Sequence, residues 1–230
     1  MRNGIVLRLV LVPAFACAAH ADVLWDNYPG NSYSADPEMA LSSERDTLID
    51  CTWTVDDVVF DSPVEITGVQ WVGMREVGYA YPFADLIILP SDLGNDPDDA
   101  YVTLEDLEYS VTPIASNGDL ETYEAWIELD QQISLPPGHW YFGTRLVGDP
   151  DVGLGRNFSA AATQVSPGGQ TTGYFWGPIF GVPEWLPVED LPFVAEPRDY
   201  AFQVHGYVIP EPSIVALLAV GGMLALRRHR

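Results

Sequence analysis

Five carboxylate or carboxamide side chains fall within the stretch SDLGNDPDDA: Asp92, Asn95, Asp96, Asp98 and Asp99. A hard cation such as Ca2+ takes six to eight oxygens from a flexible backbone, so this is the first candidate for a bound ion. The spacing is not that of an EF-hand, because Ala100 stands fifth counting from Asp96 and no glycine follows it. Asp149 and Asp151 in GDPDVG form a sparser candidate. Against both stands a plainer reading: Asp, Asn, Gly and Pro are also the residues from which solvated turns are made.

The second candidate is aromatic. In GYFWGPIFGVPEWLP, Tyr174, Phe175, Trp176, Phe180 and Trp185 lie too close together, among Gly and Pro, for every ring to face one core. Tyr174, Trp176 and Trp185 are therefore a candidate glycan platform, since flat rings stack on sugars and nearby acids accept hydroxyl hydrogen bonds. The competing reading is a loop folded over the open end of the body with its rings buried.

Other chemistries find little support. His139 and His205 have no ligand spacing such as H-x-x-x-H and read as half-buried strand residues. There is no G-x-S-x-G elbow, phosphate-binding glycine loop or dinucleotide fingerprint. Carboxylates are too numerous for any pair to be singled out as the two acids of a glycosidase. A non-catalytic protein is expected, and a secreted carbohydrate-active hydrolase with an unidentified carboxylate pair is the alternative.

The elements that must position these residues read as strands. VEITGVQWVGM alternates Val64 and Ile66, then Val69 and Trp71, with Gly68 marking a bulge. FADLIILP runs to a proline. TYEAWIELD sets Tyr123, Ala125, Ile127 and Leu129 against Glu124, Trp126 and Glu128. ISLPPGHWYFGTRL turns at Pro136-Pro137-Gly138 and continues as a long strand, and DYAFQVHGYV sets Tyr200, Phe202 and Val204 against Ala201, Gln203 and His205. Nine to eleven short strands and no helix of ten residues predict an all-β, antiparallel β-sandwich of jelly-roll type over residues 22–208.

Charge narrows the setting. The 230 residues carry 33 acidic and 10 basic side chains, a formal charge of −23, yet 47% are hydrophobic, which is the composition of a folded protein. Every cation is arginine. Between Asp22 and Ile209 only Arg45, Arg75, Arg145, Arg156 and Arg198 oppose all but one of the carboxylates. Such a field repels nucleic acid and anionic headgroups.

The N-terminus MRNGIVLRLVLVPAFACAAHAD has a cationic start, an apolar run and small residues at Ala19 and Ala21. This is the pattern of a secretory signal peptide over residues 1–21, cut by signal peptidase after Ala21. A buried first helix is the competing reading, and a lipoprotein signal ending at Cys17 fits poorly. Cleavage leaves Cys51 alone, in an apolar alternation with Trp53 and Val55 that predicts burial.

The C-terminus reads IPEPSIVALLAVGGMLALRRHR. Ser213 to Leu226 carries no charge but spans only about 21 Å as a helix, short of the roughly 30 Å hydrocarbon core. The cluster Arg227, Arg228, His229 and Arg230 that follows suits a cytoplasmic end. Pro210-Glu211-Pro212, an apolar helix over 213–226 and a basic tail over 227–230 together resemble the PEP-CTERM sorting signal of exported bacterial proteins. That resemblance implies recognition of residues 209–230 by an exosortase, an inner-membrane anchor before processing, and a final place at the cell surface or in an extracellular matrix beside polysaccharide. The body resembles those of other PEP-CTERM proteins more loosely, in Trp25-Asp26, the strand near Val64 to Trp71, the Leu-Pro-Pro-Gly turn and a last strand running into Pro-Glu-Pro. The expected function is a surface or matrix protein, structural or glycan-binding.

Overall fold

A computed structural model of the chain describes residues 21–45, 51–149, 155–163, 173–192, 194 and 197–210. Ala19 of the expected signal peptide lies outside the described residues. So do Asp151 and the tail from Glu211 onward, with Pro212, Arg227, Arg228, Arg230 and the expected helix 213–226.

The described residues form fourteen strands: β1 (Asp22–Asp26), β2 (Leu41–Ser42), β3 (Glu44–Arg45), β4 (Trp53–Phe60), β5 (Val64–Glu76), β6 (Phe83–Pro90), β7 (Val102–Leu107), β8 (Ser110–Asn117), β9 (Leu120–Leu135), β10 (Gly138–Val147), β11 (Asn157–Ser159), β12 (Tyr174–Gly177), β13 (Val182–Pro187) and β14 (Phe202–Val208). The helices among them are three-residue 3-10 turns, and no helix of the described residues is long and apolar enough to cross a membrane. Nine to eleven strands were expected. The excess comes from pieces such as β2, β3 and β11, which are too short to show a period of two.

Two curled sheets of seven strands result. In the first, β5 is central: β9 pairs along one edge and carries β8, while β14 and β11 follow one another along the other edge, flanked by β1 and β2. The second runs β13-β12-β4-β10-β6-β7. Every pair is antiparallel except β3, which joins the end of β10 in parallel through Leu146 and Val147.

The alternations seen in the sequence decide what is buried. Val58, Phe60, Leu86, Ile88 and Phe142 of the second sheet pack with Val69, Trp71, Ile127, Phe202 and Val204 of the first in one apolar cluster. Phe142 stacks on Phe202 with ring centroids 6.4 Å apart, tying the two sheets together. Each such side chain contributes roughly 1.5–3 kcal/mol relative to its exposed state. The interior is tight. A void of about 20 Å³ beside Trp71 and Phe142 could hold no more than a water.

Opposite faces of β4, β6 and β10 build a second, smaller cluster of Trp53, Val55, Ile87, Leu89, Tyr141 and Trp185. Cys51 departs from its expected burial and is half-exposed, a free thiol at the start of this alternation.

Candidate functional site

The bulge expected at Gly68 is present and larger than a single residue. β5 and β9 pair at Gly68↔Glu128 and next at Ile66↔Ile133, so Thr67 alone stands opposite Leu129, Asp130, Gln131 and Gln132. Leu129 stays buried, while Asp130, Gln131 and Gln132 are exposed. β8 reaches no further along β9 than Ser110↔Trp126, so the bulged half of β9 has no β8 partner.

This local irregularity opens a cleft of about 1360 Å³ between β7, with the link to β8, and the second half of β9. Three rings line it. Tyr101 is 53% exposed and packs edge-to-face on buried Trp140 at 5.1 Å. Tyr109 is half-buried, and its hydroxyl donates to the Tyr81 carbonyl at 2.7 Å. Trp126 lies over Gly68, where a Cβ would overlap the indole, and meets His205 edge-to-face at 4.8 Å. Burial lowers the His205 pKa, which favours the neutral imidazole beside that ring.

The polar lining consists of Asp106, Glu108, Glu128, Asp130, Gln131, Gln132, Ser110 and Ser134. Gln132 is oriented by the Tyr207 hydroxyl, which donates to its Oε1 at 2.7 Å. Asp106 takes a left-handed backbone (φ 56°), and its amide donates to Asp85 at 3.0 Å. Asp85 is fully buried and holds two arginines, accepting from Arg45 Nε at 2.8 Å and Arg145 Nε at 2.7 Å. Arg145 in turn stacks 3.8 Å above the Trp53 ring. One lip of the cleft is thus fixed by a buried ion network. Rings for stacking and amides and carboxylates for hydroxyl groups are the chemistry of a polar, ring-bearing ligand.

Reading the sequence missed this site because its parts come from separated segments. The one local sign is Gln131, which occupies the position where the Tyr123, Ala125, Ile127, Leu129 alternation calls for an apolar residue.

The residues singled out from sequence are placed differently. In the Asp92 to Asp99 loop, Asp96 Oδ1 accepts from the Asp98 amide at 2.8 Å and Asp99 Oδ2 accepts from the Asn95 amide at 2.8 Å, while Leu93 buries against the outer cluster. These side chains shape the turn, and no three His, Cys, Asp or Glu among the described residues form a metal-binding group. Tyr174, Trp176 and Trp185 do gather on one face, packed against the Trp53 and Tyr141 cluster. Trp185 is only 8% exposed and Trp176 Nε1 is engaged by the Pro183 carbonyl at 3.1 Å. Phe175 points into the main core, while Phe180 lies half out of it. His139, half-buried as expected, meets Asp57 at 3.2 Å and Tyr141 at 4.8 Å between ring centroids.

Among the described residues two carboxylates have strongly perturbed acidity, and neither lines the cleft. Asp56 is fully buried. It accepts from Asn27 Nδ2 at 3.0 Å and from the Tyr200 amide at 2.6 Å, and burial, with Asp199 nearby, raises its pKa well above the usual carboxylate range. Burial, with Asp57 nearby, pushes Asp199 up to about 6. A scan against protein-family models finds no match, and no curated protein and no solved structure matches the chain.

Proposed function

We propose that this chain is an exported, non-catalytic surface or matrix protein whose jelly-roll body retains an extracellular polysaccharide in the cleft between β7 and the bulged half of β9. In this reading residues 1–21 are a signal peptide removed by signal peptidase, and residues 209–230 are a PEP-CTERM-type tail. That tail anchors the body at the inner membrane until an exosortase acts near Pro210-Glu211-Pro212. The observation that carries the glycan reading is the exposed Tyr101 ring sharing one open cleft with the polar bulge Asp130 to Gln132. An aromatic face contributes stacking against the apolar face of a sugar, and carboxamide and carboxylate oxygens accept hydrogen bonds from its hydroxyl groups.

Affinity electrophoresis of the mature protein in gels containing a neutral glucan tests this directly. Tyr101→Ala should lose most of the retardation with little change in melting temperature, because half of that side chain is already in water. Unchanged mobility of both proteins in a panel of glycans removes the reading, and release of new reducing ends would put a carbohydrate-active hydrolase in its place. Export and sorting are tested by intact mass in hosts with and without an exosortase. The segment after about Pro212 should be lost only where the enzyme is present.

A further inference from the structure

We infer that the polysaccharide this cleft takes carries free amino groups, an inference that rests on the glycan-binding reading above. The lining of the cleft holds four carboxylates, Asp106, Glu108, Glu128 and Asp130, and no arginine or histidine. Asp106 is paired with Arg45. The other three have no ion pair or hydrogen bond to another described residue, and Glu108, Glu128 and Asp130 are exposed.

Among the described residues no cation is left to neutralise these three. The chain has no lysine, and the arginines of its body are committed elsewhere: Arg45 and Arg145 to Asp85, Arg75 to Glu121, Arg156 to Glu76, and Arg198 to the Glu38 carbonyl. An anionic polymer entering the cleft would therefore meet like charge from the lining and from a protein of formal charge −23. A neutral glycan would leave three carboxylates to shed part of their hydration for hydroxyl contacts alone. A protonated amine at a repeat of one per sugar supplies the missing charge, and the rings that share the lining accommodate the pyranose bodies. Trp126 and Tyr101 provide faces at which an ammonium group is also favoured.

The experiment compares two probes that differ only in the amine: glucosamine oligosaccharides and their N-acetylated counterparts. Both are titrated calorimetrically into the mature protein at pH 6, at low salt and in 0.5 M NaCl. The amine form should bind about tenfold more tightly at low salt, and the advantage should shrink at high salt, as expected for partly exposed charge pairs. Glu128→Gln with Asp130→Asn should erase the difference between the two probes, with the melting temperature in place. Equal affinity for both probes overturns the inference but leaves the glycan-binding reading standing. No binding of either probe, or of a neutral glucan, overturns both. Binding of oligolysine as tight as that of the amino sugar, unaffected by Tyr101→Ala, means that the carboxylates attract any polycation, and it overturns the inference as well.

Discussion

The carboxylate of Asp56 and the backbone amide of Tyr200 meet at 2.6 Å across 144 residues of chain. Asp56 lies on β4 of one sheet and Tyr200 two residues before β14 of the other, and the same carboxylate accepts from Asn27 just after β1. One buried side chain therefore joins the second sheet to two neighbouring strands of the first. Apolar contacts across the core are tolerant of position, whereas this contact has fixed donors and a fixed acceptor and so helps set how the sheets register.

Replacement of Asp56 by alanine should be among the most damaging single changes in the protein. It strands the Asn27 amide and the Tyr200 amide without an acceptor in the interior, each at about 1–3 kcal/mol. A loss of roughly 2–5 kcal/mol is expected, read as a fall in the urea midpoint with unchanged slope. A loss below about 1 kcal/mol would show that water replaces the carboxylate and that the latch is dispensable.

Stability should fall as the pH rises from about 4 to 6. An aspartate in the unfolded chain ionises near 3.9, whereas burial and Asp57 place Asp199 at about 6 in the folded protein. Between those values the folded chain keeps a proton that the unfolded chain has released. The stabilisation from Asp199 is therefore complete below about pH 4 and is lost as the pH passes about 6. Asp56, raised by burial and by Asp199, acts in the same direction. Melting temperatures across this range should decline in the natural sequence and decline less in Asp199→Asn, which isolates this group from the general repulsion of an acidic surface. Parallel profiles for the two proteins would count against the assignment.

Much of this fold is legible in the sequence, because strands with one face on a core must alternate. Tyr123 to Leu129 and Tyr200 to Val204 bury the faces that their patterns indicate, and Gly138, at φ 152°, closes the turn expected at Pro136-Pro137-Gly138. Pairing partners are not legible in the same way. Nothing local announces that β12 joins β4 or that β14 lies against β5, because those contacts depend on the whole chain. Half the candidate cleft was hidden for that reason, since Tyr101 and Gln131 are near only once β7 and β9 end up on facing edges. The aromatic segment was legible in part: its rings do not all face one core, as their crowding among Gly and Pro indicates, but nothing local announces that the second face of the curled sheet has a core of its own.

Trp185 should behave as a core residue rather than as part of a binding platform. It is 8% exposed and packs among Trp53, Ile87 and Tyr141. Its replacement by alanine should cost about 3 kcal/mol or more, the usual loss for a large buried ring. Polysaccharide retention measured well below the new melting temperature should be unchanged. A folded, equally stable Trp185→Ala protein that no longer binds glycan would restore the platform and move the site away from the cleft.

Gly68 connects the bulge to the cleft, and Gly68→Ala tests that connection. A methyl group there would overlap the Trp126 indole and the Ile127 carbonyl. The carbonyl belongs to the β5–β9 ladder and is held in place, so the ring is the part that can move. Overpacking of this kind costs typically 1–3 kcal/mol. The shifted indole should lose its edge-to-face contact with His205, a change visible in the His205 ring proton shifts. Binding should weaken although none of the polar lining has been altered, because a ring that flanks the bulge has been displaced. If the His205 signals move and glycan affinity does not, Trp126 is a packing residue and the ligand is held by Tyr101 and the bulge alone.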